Sequence, residues 1–325
     1  MMANPRLRAL ALALFAVALW TAGARAAFPD RPVRIIAPSP AGGAIDTLAR
    51  ILGQKLSELW GQSVIVENRP GGLGVIGTDA VAKAAPDGYT IGLLASNHAI
   101  NPLVVHDLPY DTFASFAPVA TVAVVPGVLV VNSSALDVHD LKGAVDAARA
   151  HPGKYNYASP LALTAGQRSM ELLKHDAQVN IQMIPYNGGP PAVNDLLAGT
   201  VEFLVIAIPT VSPYIASGRL RALAVTSPQR FEGLPDVPTV AESGYPGFNS
   251  VEWYAMFTSS AVPAAIVQKL STDIDAVLAR PDIRAQFLKI GAYPGEGGAA
   301  ELQRRLQGEY DRWKGLLKDI DLRAD

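Results

Sequence analysis

The feature that most constrains the fold lies near the start of the chain, where a short apolar run precedes a Pro/Gly loop and a helical pattern. Val33 to Ala37 is apolar and typical of a buried strand, and residues 38–43 favour a turn. Apolar residues then recur at helical spacing, at Ile45, Leu48, Ala49, Leu52, Leu56 and Leu59. The segment therefore predicts a strand, a tight loop and a helix N-terminus.

The same alternation continues after this first helix. Ser63 to Glu67 and Tyr89 to Ala95 have strand patterns, and Val75 to Ala85 between them has a helical pattern. The order β-α-β-α-β is typical of a parallel sheet covered by helices, and it predicts an α/β fold. Carboxyl ends of parallel strands share one edge, so the polar residues Ser96-Asn97-His98 are expected beside the Pro40–Gly43 loop.

The Pro/Gly loop has the composition of an anion-binding site. Gly42 and Gly43 precede the helix, where backbone N–H groups left unshielded by side chains lie at the positive end of the helix dipole. We interpret the loop as one half of a carboxylate-binding site. An ordinary βα turn that binds nothing is an equally good interpretation of the local sequence.

The first 26 residues have the pattern of a secretory signal. Arg6 and Arg8 precede an apolar run from Ala9 to Trp20, and Ala24-Arg25-Ala26 has the A-x-A form of a signal-peptidase site. The apolar run is shorter than the roughly 20 residues that a membrane anchor needs. Since Arg6-Leu7-Arg8 is not a twin-arginine pair, we expect export of an unfolded chain without a preloaded cofactor, and a soluble periplasmic protein.

Composition excludes several classes of function. With 27 Lys and Arg against 29 Asp and Glu, the chain has no basic excess for nucleic acid or an anionic membrane. The absence of Cys excludes disulfides, thiolate metal sites and a Cys nucleophile. The five histidines have no paired spacing, so we predict no metal site and no cofactor. A small molecule or another protein is the expected partner.

A second α/β unit follows in the middle of the chain. The apolar stretch Val119 to Val131, broken by Pro126-Gly127, is expected to carry the chain into it. There Thr164 and Gln167 fit a capping box, which predicts a second loop-to-helix start. Val251 to Thr258 is predicted to return the chain. We therefore expect domain I over residues 27–125 and 250–325, domain II over residues 126–249, and the glycine-rich loops around one cleft.

Several longer segments carry a resemblance to a known family. In family order they are Phe28–Arg34, Pro40–Arg50, Val66–Gly72, Pro86–Thr90, Pro185–Gly188, Asp195–Gly199, Leu223–Ser227 and Leu234–Thr239. On these segments the chain resembles the Bug family, the extracytoplasmic solute receptors of tripartite tricarboxylate transporters. The resemblance extends from about Phe28 to the C-terminus.

The resemblance implies a type II periplasmic-binding-protein fold, whose two lobes close on a small carboxylate and deliver it to a membrane permease. In such receptors a loop of each lobe holds the carboxylate, largely through main-chain donors and ordered waters. Carried over to this chain, the ligand-binding residues are Ala41, Gly42, Gly43, Asp46, Ser159, Thr164 and Ala165, with Asn97 and Tyr186 on the walls. The receptor is expected to be a monomer and to perform no covalent chemistry.

One departure from the family pattern bears on the ligand. The family usually has a glycine-rich second-lobe loop that ends in Thr and is followed by His. In this chain Ser159 and Thr164 match that loop, but its glycines and the His are absent. Leu161 and Leu163 would make the wall bulkier and less hydrated, so we hypothesise a mono- or aromatic carboxylate rather than a dicarboxylate.

Three alternatives remain beside this interpretation. Gly72, Gly74 and Gly77 match the dinucleotide-binding pattern G-x-G-x-x-G. No Asp or Glu lies between Gly88 and His106 to hold a ribose, so we favour tight turning and close helix packing over dinucleotide binding.

An exported enzyme could use Asp46 or His98 as a catalytic residue. A first-turn acid that accepts N–H groups and a histidine on the surface or cleft wall are more ordinary roles for these two residues. A closed receptor could also dock on a signalling protein.

Overall fold

The computed structural model describes residues 28–160, 163–320 and 322. The predicted signal peptide, residues 1–26, and Leu161 lie outside these residues. Within them the chain forms two β-sheets, one of six strands and one of five, each packed against helices. We call the six-stranded sheet with its helices the first lobe and the five-stranded sheet with its helices the second lobe. The predicted two-lobed α/β architecture is confirmed.

The strands alternate with helices along most of the chain. In order they are β1 (Val33–Ala37), β2 (Val64–Asn68), β3 (Thr90–Ala95), β4 (Phe116–Val125), β5 (Gly127–Asn132), β6 (Asn156–Ser159), β7 (Gln182–Pro185), β8 (Phe203–Ala207), β9 (Leu220–Val225), β10 (Glu252–Ser259) and β11 (Tyr293–Pro294).

The α-helices are α1 (Ala44–Trp60), α2 (Val75–Ala82), α3 (Asn101–Val104), α4 (Leu141–Ala150), α5 (Ala165–Ala177), α6 (Gly189–Ala198), α7 (Ile208–Ala216), α8 (Ala264–Leu278), α9 (Pro281–Lys289) and α10 (Gly298–Leu316). Two short 3-10 helices, Gly72–Gly74 and Ser96–Ala99, follow β2 and β3 along the chain.

Strand order places the loops that begin α1 and α5 at comparable positions in the two lobes. The first sheet has the order β11-β4-β10-β3-β1-β2, with β1 parallel to β2 and β3, and β10 antiparallel to β3 and β4. The second has the order β7-β6-β8-β5-β9, with β6 parallel to β7 and β8. In each lobe the loop leaves the carboxyl end of a parallel strand, β1 or β6, where ligands of such sheets bind.

Helix α1 fixes the first of these loops because its apolar face is fully buried. Leu48, Leu52 and Leu56 recur every four residues and are at most 1% exposed. They pack in one cluster with Val33 and Ile35 of β1. Each such leucine stabilises the fold by roughly 1.5–3 kcal/mol on burial. The rigid helix therefore holds its N-terminus in place against the sheet.

The structure differs from the sequence-based expectations mainly at element ends. The apolar stretch predicted from Val119 is two strands, and the first begins earlier, at Phe116. Helix α2 ends at Ala82 rather than at the predicted Ala85. Helix α5, whose start was predicted, ends at Ala177. The two-residue strand β11 was not predicted, because two residues carry no periodicity.

Candidate functional site

The start of α1 presents open backbone donors. Gly43 is the N-cap, with φ −73° and ψ 171°, and it makes no side-chain cap. The first backbone bond of the helix runs from the Thr47 N–H to the Gly43 oxygen, at 2.9 Å. The N–H groups of Ala44 and Ile45 therefore have no partner within the helix. Both residues line a cavity, where these amides and the helix dipole favour an anion.

The backbone N–H groups of Gly42 and Gly43, which were predicted to face the ligand, donate hydrogen bonds within the protein instead. The Gly42 N–H donates to Asp46 Oδ2 at 2.9 Å, and the Gly43 N–H donates to the Pro40 oxygen at 3.3 Å. The expectation that both amides are unshielded is therefore wrong, because the Asp46 side chain accepts the first amide and the Pro40 carbonyl accepts the second. Ala41, Gly42, Gly43 and Asp46 shape the loop, whereas Pro40, Ala44 and Ile45 line the cavity.

Asp46 is a structural acid in this arrangement. Its carboxylate accepts a hydrogen bond from Arg50 Nε at 3.0 Å in addition to the Gly42 N–H. The bond to Arg50, followed by the bond to Gly42, lowers the pKa of Asp46 to about 2. A carboxylate with so low a pKa is a weak proton acceptor near neutral pH. This weakens the alternative of an enzyme that uses Asp46 as a general base.

The start of α5 is the counterpart of this loop in the second lobe. Thr164 is the N-cap, and its hydroxyl accepts the Gln167 N–H at 3.3 Å, as the predicted capping box requires. Gln167 Oε1 reaches back to the Leu163 N–H at 2.6 Å rather than to the N-cap residue itself. Leu163 has φ 59°, in the left-handed region that costs a non-glycine residue about 1–2 kcal/mol. Side chains of the helix thus hold the loop in an unusual conformation.

The two loops meet at a cavity of about 600 Å³. From the first lobe it is lined by Ala44, Ile45 and Asn97, and from the second lobe by Leu163 and Thr164. Helix-start residues of both lobes therefore line one space. Asn97, predicted on the wall, lines this cavity while its side chain donates to the Leu73 oxygen at 2.7 Å.

A smaller cavity of about 250 Å³ continues along the second lobe. Ala165 and Gly166 at the start of α5 line it, together with residues of β5 and β8. Both cavities are also lined by Thr164, Glu252 and Tyr254. The two spaces are thus adjoining parts of one cleft between the lobes, and Glu252 lies at their junction.

A buried ionic cluster joins the lobes beside this junction. Arg168 of α5 is 1% exposed; it donates to the Leu163 oxygen at 2.6 Å and to Ser96 Oγ of the first lobe. Its guanidinium is 4.0 Å from Glu252 and 4.0 Å from Glu309 of α10. Arg168 therefore lies between two carboxylates of the opposite lobe.

His98 is a buried part of the cavity wall and is not on the exposed surface. It is 2% exposed and packs against Phe116 and Phe257, with ring centroids 4.9 Å and 5.1 Å away. Neither ring nitrogen has a hydrogen-bond partner among the described residues, and burial lowers the pKa of His98 to about 3. The ring is therefore neutral at physiological pH, which favours a packing role in the wall over acid–base chemistry.

Two predicted ligand residues contribute to the second lobe without lining either cavity. Ser159 ends β6 and is 2% exposed, and its oxygen accepts the Tyr186 N–H at 2.8 Å. The Tyr186 hydroxyl donates to Asp195 Oδ2 at 2.7 Å. Tyr186 thus fastens its loop to α6, and Ser159 is buried at the end of β6.

The G-x-G-x-x-G segment has a packing explanation. A Cβ on Gly77 would lie 2.8 Å from the Arg69 oxygen and 2.9 Å from the Pro38 Cα, so α2 approaches the first-lobe loop closely only because this residue is glycine. Gly74 has φ 87°, in the region that favours glycine. Both features support the tight-turn interpretation of the motif.

Another cavity of about 610 Å³ lies away from the cleft. It is lined by Pro102–His106 and by residues around the end of α10, and neither glycine-rich loop contributes to it.

Within the described residues, no group of three or more His, Asp or Glu side chains is arranged to hold a metal ion. In the same part of the chain, no helix has the length and apolarity needed to cross a membrane.

The site residues that the sequence reasoning missed include Ala44 and Ile45, which follow the predicted glycines, and also Glu252 and Arg168. Glu252 is the first residue of a strand whose next five residues are apolar or aromatic, and an acid in that position is a weak signal of a strand end in a cleft. Arg168 shares the buried face of α5 with Leu172, four residues later, so a cation on the apolar face was the available signal. The proximity of Glu252 and Arg168 depends on the tertiary fold, so no local sequence pattern predicts it.

Comparisons with known proteins identify the family. Residues 48–322 match the family described as "Tripartite tricarboxylate transporter family receptor". BugT of Bordetella pertussis is 36% identical over 315 residues, which cover 95% of this chain and 96% of BugT. These matches confirm the resemblance seen in the sequence.

Solved structures agree with this family. Rpa4515 of R. palustris, solved with adipate, is 35% identical, has a TM-score of 0.78, and the match covers 90% of this chain and 99% of that chain. MatC of Rhodopseudomonas palustris, with bound malate, is 28% identical, has a TM-score of 0.74, and the match covers 89% and 99%. The periplasmic-binding-protein fold is confirmed. From the family match, the identity and the shared fold together, the chain belongs to the tripartite tricarboxylate transporter receptors.

Proposed function

We propose that this protein is a periplasmic receptor that binds one small organic carboxylate between its lobes and delivers it to the membrane permease of a tripartite tricarboxylate-type transporter. The observation that carries the proposal is the shared cavity: Ala44 and Ile45 at the start of α1 and Thr164 at the start of α5 line it together. Donors from opposite lobes on one ligand would make closure depend on that ligand.

An anion suits this cavity because its donors are backbone amides at a helix N-terminus. Such a site stabilises a negative charge by about 0.3–1 kcal/mol when exposed and by up to about 2 kcal/mol when partly buried. Closure removes water and strengthens these interactions further. The bound adipate of Rpa4515 and malate of MatC support a carboxylate as the ligand class.

Within this proposal the predicted residues have different roles. Asn97, Thr164 and Ala165 contact the ligand, joined by Ala44 and Ile45. Ala41, Gly42, Gly43 and Asp46 position the first loop, and Ser159 and Tyr186 position the second. The lobes correspond to residues 27–125 with 250–325 and to residues 126–249, and residues 1–26 are the signal that directs the monomeric receptor to the periplasm.

The proposal is tested with ligand-stripped protein. The protein is unfolded, dialysed, refolded and titrated by calorimetry with monocarboxylates, dicarboxylates and a tricarboxylate, while native mass spectrometry of freshly purified protein detects a retained small acid. We expect one or more carboxylates to bind with a stoichiometry of one and without turnover. Absence of binding across all carboxylates, with refolding verified by circular dichroism, would overturn the proposed ligand class.

A further inference from the structure

We propose that Glu252 determines ligand specificity in the cleft by disfavouring carboxylates that carry a second negative charge. The inference rests on the proposed function and deepens it: the ligand class becomes carboxylates with a neutral or cationic far end. Glu252 lines both cavities at their junction, and its side chain is 18% exposed. Among the described residues that line the cleft, it is the only one with an acidic side chain, and none has Lys or Arg.

The two oxygens of Glu252 have different surroundings. Oε1 accepts hydrogen bonds from the Ser96 N–H, at 3.0 Å, and from the Ser96 hydroxyl. Oε2 accepts no hydrogen bond from the described residues, and its nearest cation is Arg168 at 4.0 Å. The hydrogen bonds to Oε1 therefore fix the position of the side chain. Oε2 remains able to accept a hydrogen bond from a ligand.

Arg168 cannot serve as a binding partner for a second ligand carboxylate. Its side chain is 2% exposed, and it is shared between Glu252 and Glu309, each 4.0 Å away. With all three groups ionised, one cation faces two carboxylates, and the cluster retains one negative charge. The net negative charge of this cluster repels a nearby ligand carboxylate, and the low dielectric constant of the site strengthens the repulsion.

The remaining wall of the larger cavity suits an uncharged ligand body. Pro38, Leu73, Leu94 and Leu163 line it. Tyr254 also lines both cavities, and burial followed by the nearby Glu252 charge raises the pKa of its hydroxyl, so it stays protonated. The cleft thus offers amides to one carboxylate, apolar surface to the body, and an acidic acceptor beyond it.

The test uses ligand pairs of equal length that differ in the far end. Calorimetry at pH 8 compares butyrate with succinate, hexanoate with adipate and 4-methylbenzoate with terephthalate, and adds 6-aminohexanoate. In each pair that binds, we expect the monoanion to bind at least about tenfold more tightly than the dianion. Glu252→Gln, which keeps the shape but removes the charge, is expected to reduce this preference by about tenfold and to weaken 6-aminohexanoate.

Glu309→Gln is the matched control. It also removes one of the two carboxylates that face Arg168, but Glu309 lines neither part of the cleft. We expect this variant to leave the preference unchanged. Tighter binding of dianions by the unmodified protein, or equal shifts in the two variants, would overturn the inference while leaving the carboxylate receptor intact. If none of the carboxylates binds in either set of titrations, 6-aminohexanoate and the tricarboxylate included, the proposed function fails, and the inference fails with it.

Discussion

The guanidinium of Arg168 in the second lobe donates a hydrogen bond to the hydroxyl of Ser96 in the first lobe. The same hydroxyl donates to Glu252, so a cation, a hydroxyl and a carboxylate form a continuous chain across the cleft. Arg168 is buried, and among the described residues it is the only cation that pairs with Glu252 or with Glu309. This one side chain therefore joins the two lobes beside the cleft.

Arg168→Met is expected to lower the free energy of unfolding by about 3 kcal/mol. The variant keeps the volume but leaves Glu252 and Glu309 without their cation and the Leu163 oxygen without its donor, and loss of one member of a buried pair typically costs 3–5 kcal/mol. Urea denaturation measures the change. Arg304→Met is the control, because the Arg304 side chain is 73% exposed and pairs with Glu301 at the surface, so a change below about 0.5 kcal/mol is expected. Equal effects would contradict the buried role of Arg168.

Ala44→Pro is expected to weaken carboxylate binding by about tenfold without unfolding the protein. Proline at the first helical position removes one N–H that the helix does not use, and the extended Gly43 backbone before it accommodates proline. Calorimetry with the tightest carboxylate found measures the affinity. Ala264→Pro makes the same substitution at the exposed start of α8, outside the cleft, and should leave the affinity unchanged. Unchanged affinity in Ala44→Pro would show that this amide does not bind the ligand.

His98 predicts a specific pH dependence of stability. Its pKa is lowered from 6.5 to about 3, so between these values the unfolded chain binds a proton that the folded protein does not. Stability therefore falls as the pH drops below 6.5, by about 2 kcal/mol between pH 7 and pH 5. Asp46, with its pKa lowered from 3.8 to about 2, contributes stability that is lost only at lower pH, below about 4.

Urea denaturation at pH 7 and pH 5 measures this slope in the unmodified protein, His98→Phe and His139→Gln. His98→Phe retains an aromatic ring beside Phe116 and should flatten the slope whatever its absolute stability. His139 has a side chain that is 76% exposed, and its variant should keep the slope. A slope that persists in His98→Phe would show that another group is responsible.

Gly166→Ala is expected to destabilise the protein by at least 2 kcal/mol. A Cβ there would lie 2.3 Å from the Val205 oxygen, so α5 would have to move away from β8 and from the cleft. Gly308→Ala is the control: Gly308 is exposed within α10 with open space around it, and alanine should stabilise that helix by about 0.5–1 kcal/mol. Thermal melting of both variants should give shifts of opposite sign.

Much of the fold could be predicted because its signals are local. The spacing of Leu48, Leu52 and Leu56 predicts α1, and Thr164 with Gln167 predicts the start of α5. These signals depend on neighbours within one or two helical turns, which the sequence contains directly.

The details of the site depended on choices between local partners and on distant contacts. Asp46 was recognised as able to accept N–H groups, but only the structure shows that it takes the Gly42 amide and leaves those of Ala44 and Ile45 open. The meeting of Arg168 with Glu252 requires α5 and β10 to come together from different lobes, and no local pattern encodes that contact.

The strand order of the first sheet has a consequence for how the protein reaches its native state. β10 lies between β3 and β4, yet it follows the whole five-stranded sheet along the chain. An emerging polypeptide therefore cannot join the two halves of its amino-terminal sheet until the intervening lobe has been synthesised. The second lobe is the part that can assemble first, and its completion brings the central strand of the other lobe into reach.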